Sequence, residues 1–176
     1  MPGVFSGGGQ SNEFDEVITN GVQFPSTQVP SSDPNNLDDY EEGTWTPVAT
    51  FQTPGDLVVV YSFQVGLYTK IGRQVTITMN VDLSTFTHTT ASGQFRITGL
   101  PFTSASLPSG IIWAGTTTMD GVTKANYTDF TARLGQAGSL LVYDAEGSGQ
   151  AISTIDSSDM PTGGVPTIRT TMSYFV

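Results

Sequence analysis

"RQVTITMNVDL", residues 73 to 83, decides the fold class. Val75, Ile77, Met79, Val81 and Leu83 fall on one side of an extended chain, and Thr76, Thr78, Asn80 and Asp82 on the other. Five apolar positions in strict alternation make a strand with one buried face, a pattern that a helix of 3.6 residues per turn does not produce. "TIRTTMSYFV", residues 167 to 176, repeats it, with Ile168, Met172, Tyr174 and Val176 opposite Arg169, Thr171 and Ser173. "GQFRITGLPF", residues 93 to 102, aligns Phe95 and Ile97 before turning at Gly99 to Pro101.

Working outward, weaker strand signals cover 45–51, 57–65, 109–119, 125–134, 138–145 and 150–155. They are short and separated by Gly, Pro, Asp and Ser, the punctuation of an all-β chain. Eight or nine strands in the last 132 residues predict an antiparallel β-sandwich of jelly-roll type. The composition agrees: only 12% of residues are charged, fewer than helical surfaces usually carry, while Thr, Ser, Val and Gly abound. There is no cysteine, so disulfides and thiolate metal sites are excluded.

The net charge of −10 is unevenly placed. Residues 1 to 44 hold eight of the sixteen acids and no base. They lack periodicity and are rich in breakers ("SGGG", "NG", "FPS", "VPSSDP", "EEG"), so the expectation is an extended acidic arm over 1–44 and a folded domain over 45–176. An arm this acidic is not expected to seek a phosphate backbone or an anionic membrane. "MPGVFSGGGQ" has neither the basic nor the apolar part of a secretory signal, and "LVVVY" and "IIWA" are too short to span a bilayer. No nucleic acid and no membrane insertion are therefore expected. Phe5, Phe14, Ile18 and Phe24 punctuate the arm and are candidate attachment residues, since an extended segment docks through such anchors.

Chemistry-bearing motifs are sparse. His88 is the only histidine and sits in the polar run "STFTHTTASG", which reads as a loop. No Ser-His-Asp signature, phosphate-cradling glycine loop or metal-ligand spacing accompanies it. No enzyme and no cofactor are expected. The acids Asp38, Asp39, Glu41 and Glu42 stand just ahead of Trp45. Neighbours this close seldom face each other across a sugar as a glycosidase pair must. Hard oxygen ligands in a flexible loop suit calcium, although the spacing fits no EF-hand; a solvated or ion-paired run is the plainer reading. Lys70 and Arg73 are the candidate partners, because bases are scarce.

Three stretches, "GVQFPSTQVPSSDPNNLDDYEEGTWTPV" (21–48), "GLYTKIGRQVTI" (66–77) and "FRITGLPF" (95–102), together resemble a module of tailed-bacteriophage structural proteins. Such modules occur at the ends of tail fibres and spikes and in small stand-alone virion proteins. The resemblance implies a β-sandwich after the acidic signature, commonly a homotrimer, on the outer surface of the virion. It makes the acidic run a structural junction, with Trp45 entering the core. Apolar residues on both faces of "SLLVYDA" (Leu140 and Val142 against Leu141 and Tyr143) also ask for cover by another copy. With about 44 residues ahead of the domain and no room for a shaft, a capsid decoration or cement protein, or a short head fibre, is the first expectation. The alternative is a tail fibre or spike tip that binds a host surface glycan, for which Trp113, Tyr127 and Tyr143 are the aromatic candidates.

Overall fold

The computed structural model describes residues 17–18, 21–22, 24–25, 27, 33, 35–37, 39–107 and 110–176. It divides into two units, Met1–Asp39 and Tyr40–Val176. In the first, β1 (Val17–Ile18) and β2 (Gly21–Val22) form a short antiparallel ladder. Farther on, Asp33 accepts hydrogen bonds from the backbone and side chain of Asn35 and closes a turn.

The second unit is all antiparallel β. Its strands are β3 (Tyr40–Trp45), β4 (Val48–Thr53), β5 (Val58–Ile71), β6 (Gln74–Thr87), β7 (Ser92–Thr98), β8 (Trp113–Asp120), β9 (Asp129–Leu134), β10 (Leu140–Glu146), β11 (Ser153–Thr154) and β12 (Thr167–Phe175). Among the described residues there is no helix. The strand order is β3-β5-β6-β12-β8-β9-β10-β7-β4, with β11 pairing β10. β3 and β4 are thus the two edges of the sheet, yet only Thr46 and Pro47 separate them in sequence. A flat sheet cannot satisfy both facts. The sheet curls until its edges meet, and side chains close the seam: Ala49 N donates to the Tyr61 hydroxyl (2.9 Å) and Gln64 Nε2 donates to the Pro47 carbonyl (2.8 Å).

The alternation in the sequence becomes the core. Val75, Ile77, Met79, Val81 and Leu83 of β6 are buried, as are Ile168, Met172 and Tyr174 of β12 and Phe95 and Ile97 of β7. Phe51 of β4 meets Phe86 and Phe95 with ring centroids 5.7 and 5.8 Å apart, and Phe95 meets Tyr143 of β10 at 5.6 Å. Tilted and edge-on rings at this spacing pack an interior well.

β5 and β6 are far longer than the sequence signals. They run 14 residues each and join through Gly72 and Arg73, with Ile71 opposite Gln74. Residues 40 to 44, which composition assigns to the arm, are strand in the structure; their glutamates stand on an edge, where polar residues are no obstacle. One row of the sheet runs Tyr40, Ile71, Gln74, Phe175 through successive ladders.

Candidate functional site: a three-segment junction and the outward face of β5

The three quoted stretches meet at one place. Gly43 is the register partner of Tyr68, and Trp45 of Gly66. In both pairs an aromatic ring occupies the space over a glycine: a Cβ at Gly43 would lie 2.8 Å from the Tyr68 hydroxyl, and one at Gly66 would lie 2.4 Å from the Trp45 indole. "EEGTW" and "VGLY" each supply one glycine and one ring, in antiparallel register, so the two stretches interlock. The Trp45 Nε1 also donates to the Leu67 carbonyl (3.3 Å), and Trp45 is buried. The third stretch closes the junction. Phe102 stands edge-on to Tyr68 at 5.3 Å, the Lys70 ammonium lies 5.8 Å from its ring centre, and its carbonyl accepts from the Tyr174 hydroxyl. Gly99 takes φ 90° beneath the Thr46 carbonyl, where a Cβ would sit 2.3 Å from the oxygen.

The acidic run is divided by this geometry. Glu41 pairs in register with Lys70, and its Oε1 accepts from the Tyr68 hydroxyl at 2.5 Å. That bond, more than desolvation, raises the Tyr68 pKa to about 12. Glu42 faces the other way, is exposed and accepts from the Tyr40 hydroxyl (2.9 Å). Asp39 and Lys70 are buried. Arg73 lies at the β5–β6 turn, exposed, with Nε donating to the Val176 carbonyl (3.2 Å) and its guanidinium 5.9 Å from the Phe175 ring centre. Asp38, Phe5 and Phe14 lie outside the described residues; Ile18 is in β1 and Phe24 is half-buried.

The surface beside the junction is unusual. Inward residues of β5 alternate with outward ones, but here most of the outward set is apolar too, with Val58, Val60, Phe63, Val65, Leu67 and Ile71 exposed and Thr69 standing between the last two. Phe63, Leu67 and Ile71 are 46%, 52% and 50% exposed. Tyr40 and Phe175 extend the stripe at the turn end. The strand is about 45 Å long at ~3.3 Å per residue, and monomers rarely expose apolar patches beyond a few hundred Å². From Val58 to Val65 no strand among the described residues pairs with its outer edge. On β10, where the sequence pointed to a doubly apolar strand, Leu140 and Val142 are half-buried. The uncovered apolar surface belongs to β5 instead.

A second feature lies farther round the sheet. A groove of about 650 Å³ runs over β8 and β9, lined by Thr116, Thr118, Thr131, Asp129, Phe130 and Glu146 among others. Of the aromatic glycan candidates, Tyr143 is fully buried, with its hydroxyl 3.2 Å from the Thr170 hydroxyl, so it is a core residue. Trp113 and Tyr127 are half-buried against the core, Tyr127 donating to the Ala151 carbonyl (2.9 Å). His88 follows β6 and is buried edge-on to Phe51 at 4.8 Å, a loop side chain recruited into packing. Among the described residues no group of three or more His, Asp or Glu is placed to hold a metal ion.

No family model matches the chain, and no curated protein matches it. Among solved structures it is similar to the Dettilon tailspike protein (gp208), with a TM-score of 0.55 and 18% identity over 76% of this chain and 23% of that one. The chain therefore spans about a quarter of the protein it matches. At this identity the likeness is one of fold.

Proposed function

We propose that the chain is a bacteriophage structural protein, a homotrimeric, non-enzymatic β-domain of jelly-roll type carried on the outer surface of the virion. The observation that carries the reading is the junction. The three stretches that resemble a phage virion module come together as one interlocked unit of glycine–aromatic pairs, and the fold is shared with a tailspike. Glu41 there ties β3 to β5 through the Tyr68 hydroxyl; the arm ahead of the junction, through Phe5, Phe14, Ile18 and Phe24, fixes the domain to other virion proteins. A capsid decoration or cement protein, or a short head fibre, is the form favoured. Gold-labelled antibody against this chain, applied to intact particles, is expected to mark the capsid. Label confined to the tail tip would favour the fibre or spike form, and particles without label would overturn the reading. Light scattering is expected to give three times 18.6 kDa.

The groove over β8 and β9 favours a second reading, a fibre or spike tip that holds a host glycan. Threonine hydroxyls beside two carboxylates offer the mixed donors and acceptors that sugar hydroxyls need, with Phe130 as an apolar wall. Screening against host surface polysaccharide separates the two, since a decoration protein is expected to bind none.

A further inference from the structure

We propose, resting on the fibre-tip reading above, that the groove over β8 and β9 is one part of a longer hydroxyl-lined trough, which takes an uncharged oligosaccharide laid across the strands and rejects acidic ones. The strand register, the two cavities and the charges beside them point the same way.

A row of threonines crosses the outer side of the sheet. Thr131 of β9, Thr116 of β8, Thr171 of β12 and Thr78 of β6 are successive register partners. Their side chains therefore recur at about 4.8 Å, the spacing between strands. Thr118 stands one pleat beyond Thr116 on the same side of β8. Both are exposed, and their hydroxyls bond no other described residue. These two threonines line the groove of about 650 Å³ and also a second one of about 360 Å³ over β6 and β12, so the two cavities adjoin. Each alone has the volume of a small-molecule site. Joined, they reach from Asn80 of β6 to Glu146 of β10, which suits a chain of sugars better than a single ring. The Asn80 side-chain oxygen has no hydrogen-bond partner, and such a group is one that a ligand hydroxyl satisfies.

The charges set the class of sugar. Asp129 and Glu146 are register partners across β9 and β10, both exposed, and no Lys or Arg lines the larger groove. Thr128 donates to Asp129 Oδ2 (2.8 Å) and Thr131 to Glu146 Oε1 (3.1 Å), which leaves one oxygen of each carboxylate to accept from a ligand. A sugar hydroxyl donating to a carboxylate makes the stronger, charge-assisted kind of hydrogen bond. A uronate or phosphate brought to the same place meets two like charges already opposed to each other. In the second groove the only lining base is Arg169, and Asp82 lies 3.6 Å from it. An acidic saccharide needs an uncompensated base, and no residue lining this trough offers one.

The test applies the full chain to an immobilised array of bacterial surface oligosaccharides, neutral and acidic, graded in length. Neutral members longer than one sugar are expected to bind about tenfold tighter than acidic members of equal length. Thr116→Val with Thr118→Val removes two exposed hydroxyls. It is expected to weaken neutral binding about tenfold, the worth of one or two ordinary hydrogen bonds, with the fold kept by circular dichroism. Asp129→Asn with Glu146→Gln removes the repulsion and is expected to close most of the gap by admitting acidic members. Unchanged binding in the threonine variant overturns the site and leaves the fibre-tip reading standing, with the saccharide held elsewhere. Acidic members preferred by the wild type, or a gap that the carboxylate variant leaves intact, overturn the assigned class in the same way. Binding to no member overturns the proposal, and the screen against host polysaccharide then decides the fibre-tip reading by itself.

Discussion

Trp45 and Gly66 face each other across the β3–β5 ladder, and the indole occupies the volume in which any other residue at position 66 would carry its Cβ. Edge strands are the weak point of a sheet. Here the edge is held by a ring seated in the partner strand, and the neighbouring Gly43–Tyr68 pair does the same in the opposite sense.

Gly66→Ala is therefore expected to destabilise the domain by about 1–3 kcal/mol, the usual range for overpacking a filled site. Trp45→Leu removes the obstruction, so the double variant should lose less than the sum of the two single losses. Urea denaturation of all four proteins checks this; additive losses would mean that the contact is not what limits position 66.

Gly99 and Gly110 both sit at positive φ, 90° and 99°, but only Gly99 has an oxygen against it. Alanine at either position carries backbone strain of about 1 kcal/mol or more. Gly99→Ala must in addition displace the Thr46 carbonyl at the turn that joins the two sheet edges. It is expected to lower the melting temperature well beyond Gly110→Ala. Equal losses would show that conformation alone sets the preference for glycine.

Asp56 joins two loops, accepting from Thr89 N (2.9 Å), Thr89 Oγ1 (2.5 Å) and Thr90 N (2.7 Å), while its own N donates to Thr90 Oγ1 (3.1 Å). The Thr89 hydroxyl bond, then the backbone bonds, hold the carboxyl well below its ordinary value of 3.8. A depressed folded-state pKa contributes stability that is present above that ordinary value and is lost as pH falls below it toward the folded-state value. Melting temperatures measured from pH 6 to pH 2 should therefore fall less steeply for Asp56→Asn, whose starting value is lower. Parallel curves would remove Asp56 from the acid limb.

At the alkaline end the sign reverses. Burial raises the Tyr174 pKa to about 12 and carries that of fully buried Tyr143 higher still, and the Glu41 bond raises Tyr68 to about 12. Raised folded-state values favour the neutral phenol in the native state, so this stability is present below pH 10 and is lost as pH climbs through 12. These three tyrosines are expected to titrate late and together with unfolding, read by absorbance at the tyrosinate band alongside circular dichroism. Complete titration near pH 10 with the fold intact would contradict their placement.

How much of this was legible in the sequence depended on which faces were covered. β6 and β12 have one buried and one hydroxyl-bearing face, so alternation in the sequence located their core residues. β5 has apolar residues on both faces, so its alternation is masked and the strand expected over 57–65 stops six residues short of its observed end. β3 carries glutamates on both faces of an edge and read as arm. The expected 109–119 strand begins only at Trp113, and 150–155 shrinks to the two residues of β11. The exposed apolar face of β5 stayed hidden for the same reason: outward burial depends on neighbours that the chain alone does not name. The glycine–aromatic pairs were present as letters, but register brings them together, and register is a property of two strands.

The row Tyr40, Ile71, Gln74, Phe175 brings the entry and exit of the second unit to one end of the sheet, three strand spacings or about 14 Å apart. A guest with its two ends so close can be spliced into a loop of another protein without straining either fold. It can also be rewired: a linker of about five residues spans the gap, and new ends opened at a loop such as Gly149, where the surroundings of the backbone are open, would leave every ladder in place. Force drawn through Tyr40 and Phe175 would meet the ladders one rung at a time from that shared end. The domain is thus built to be stiff as a module and yielding at its tether.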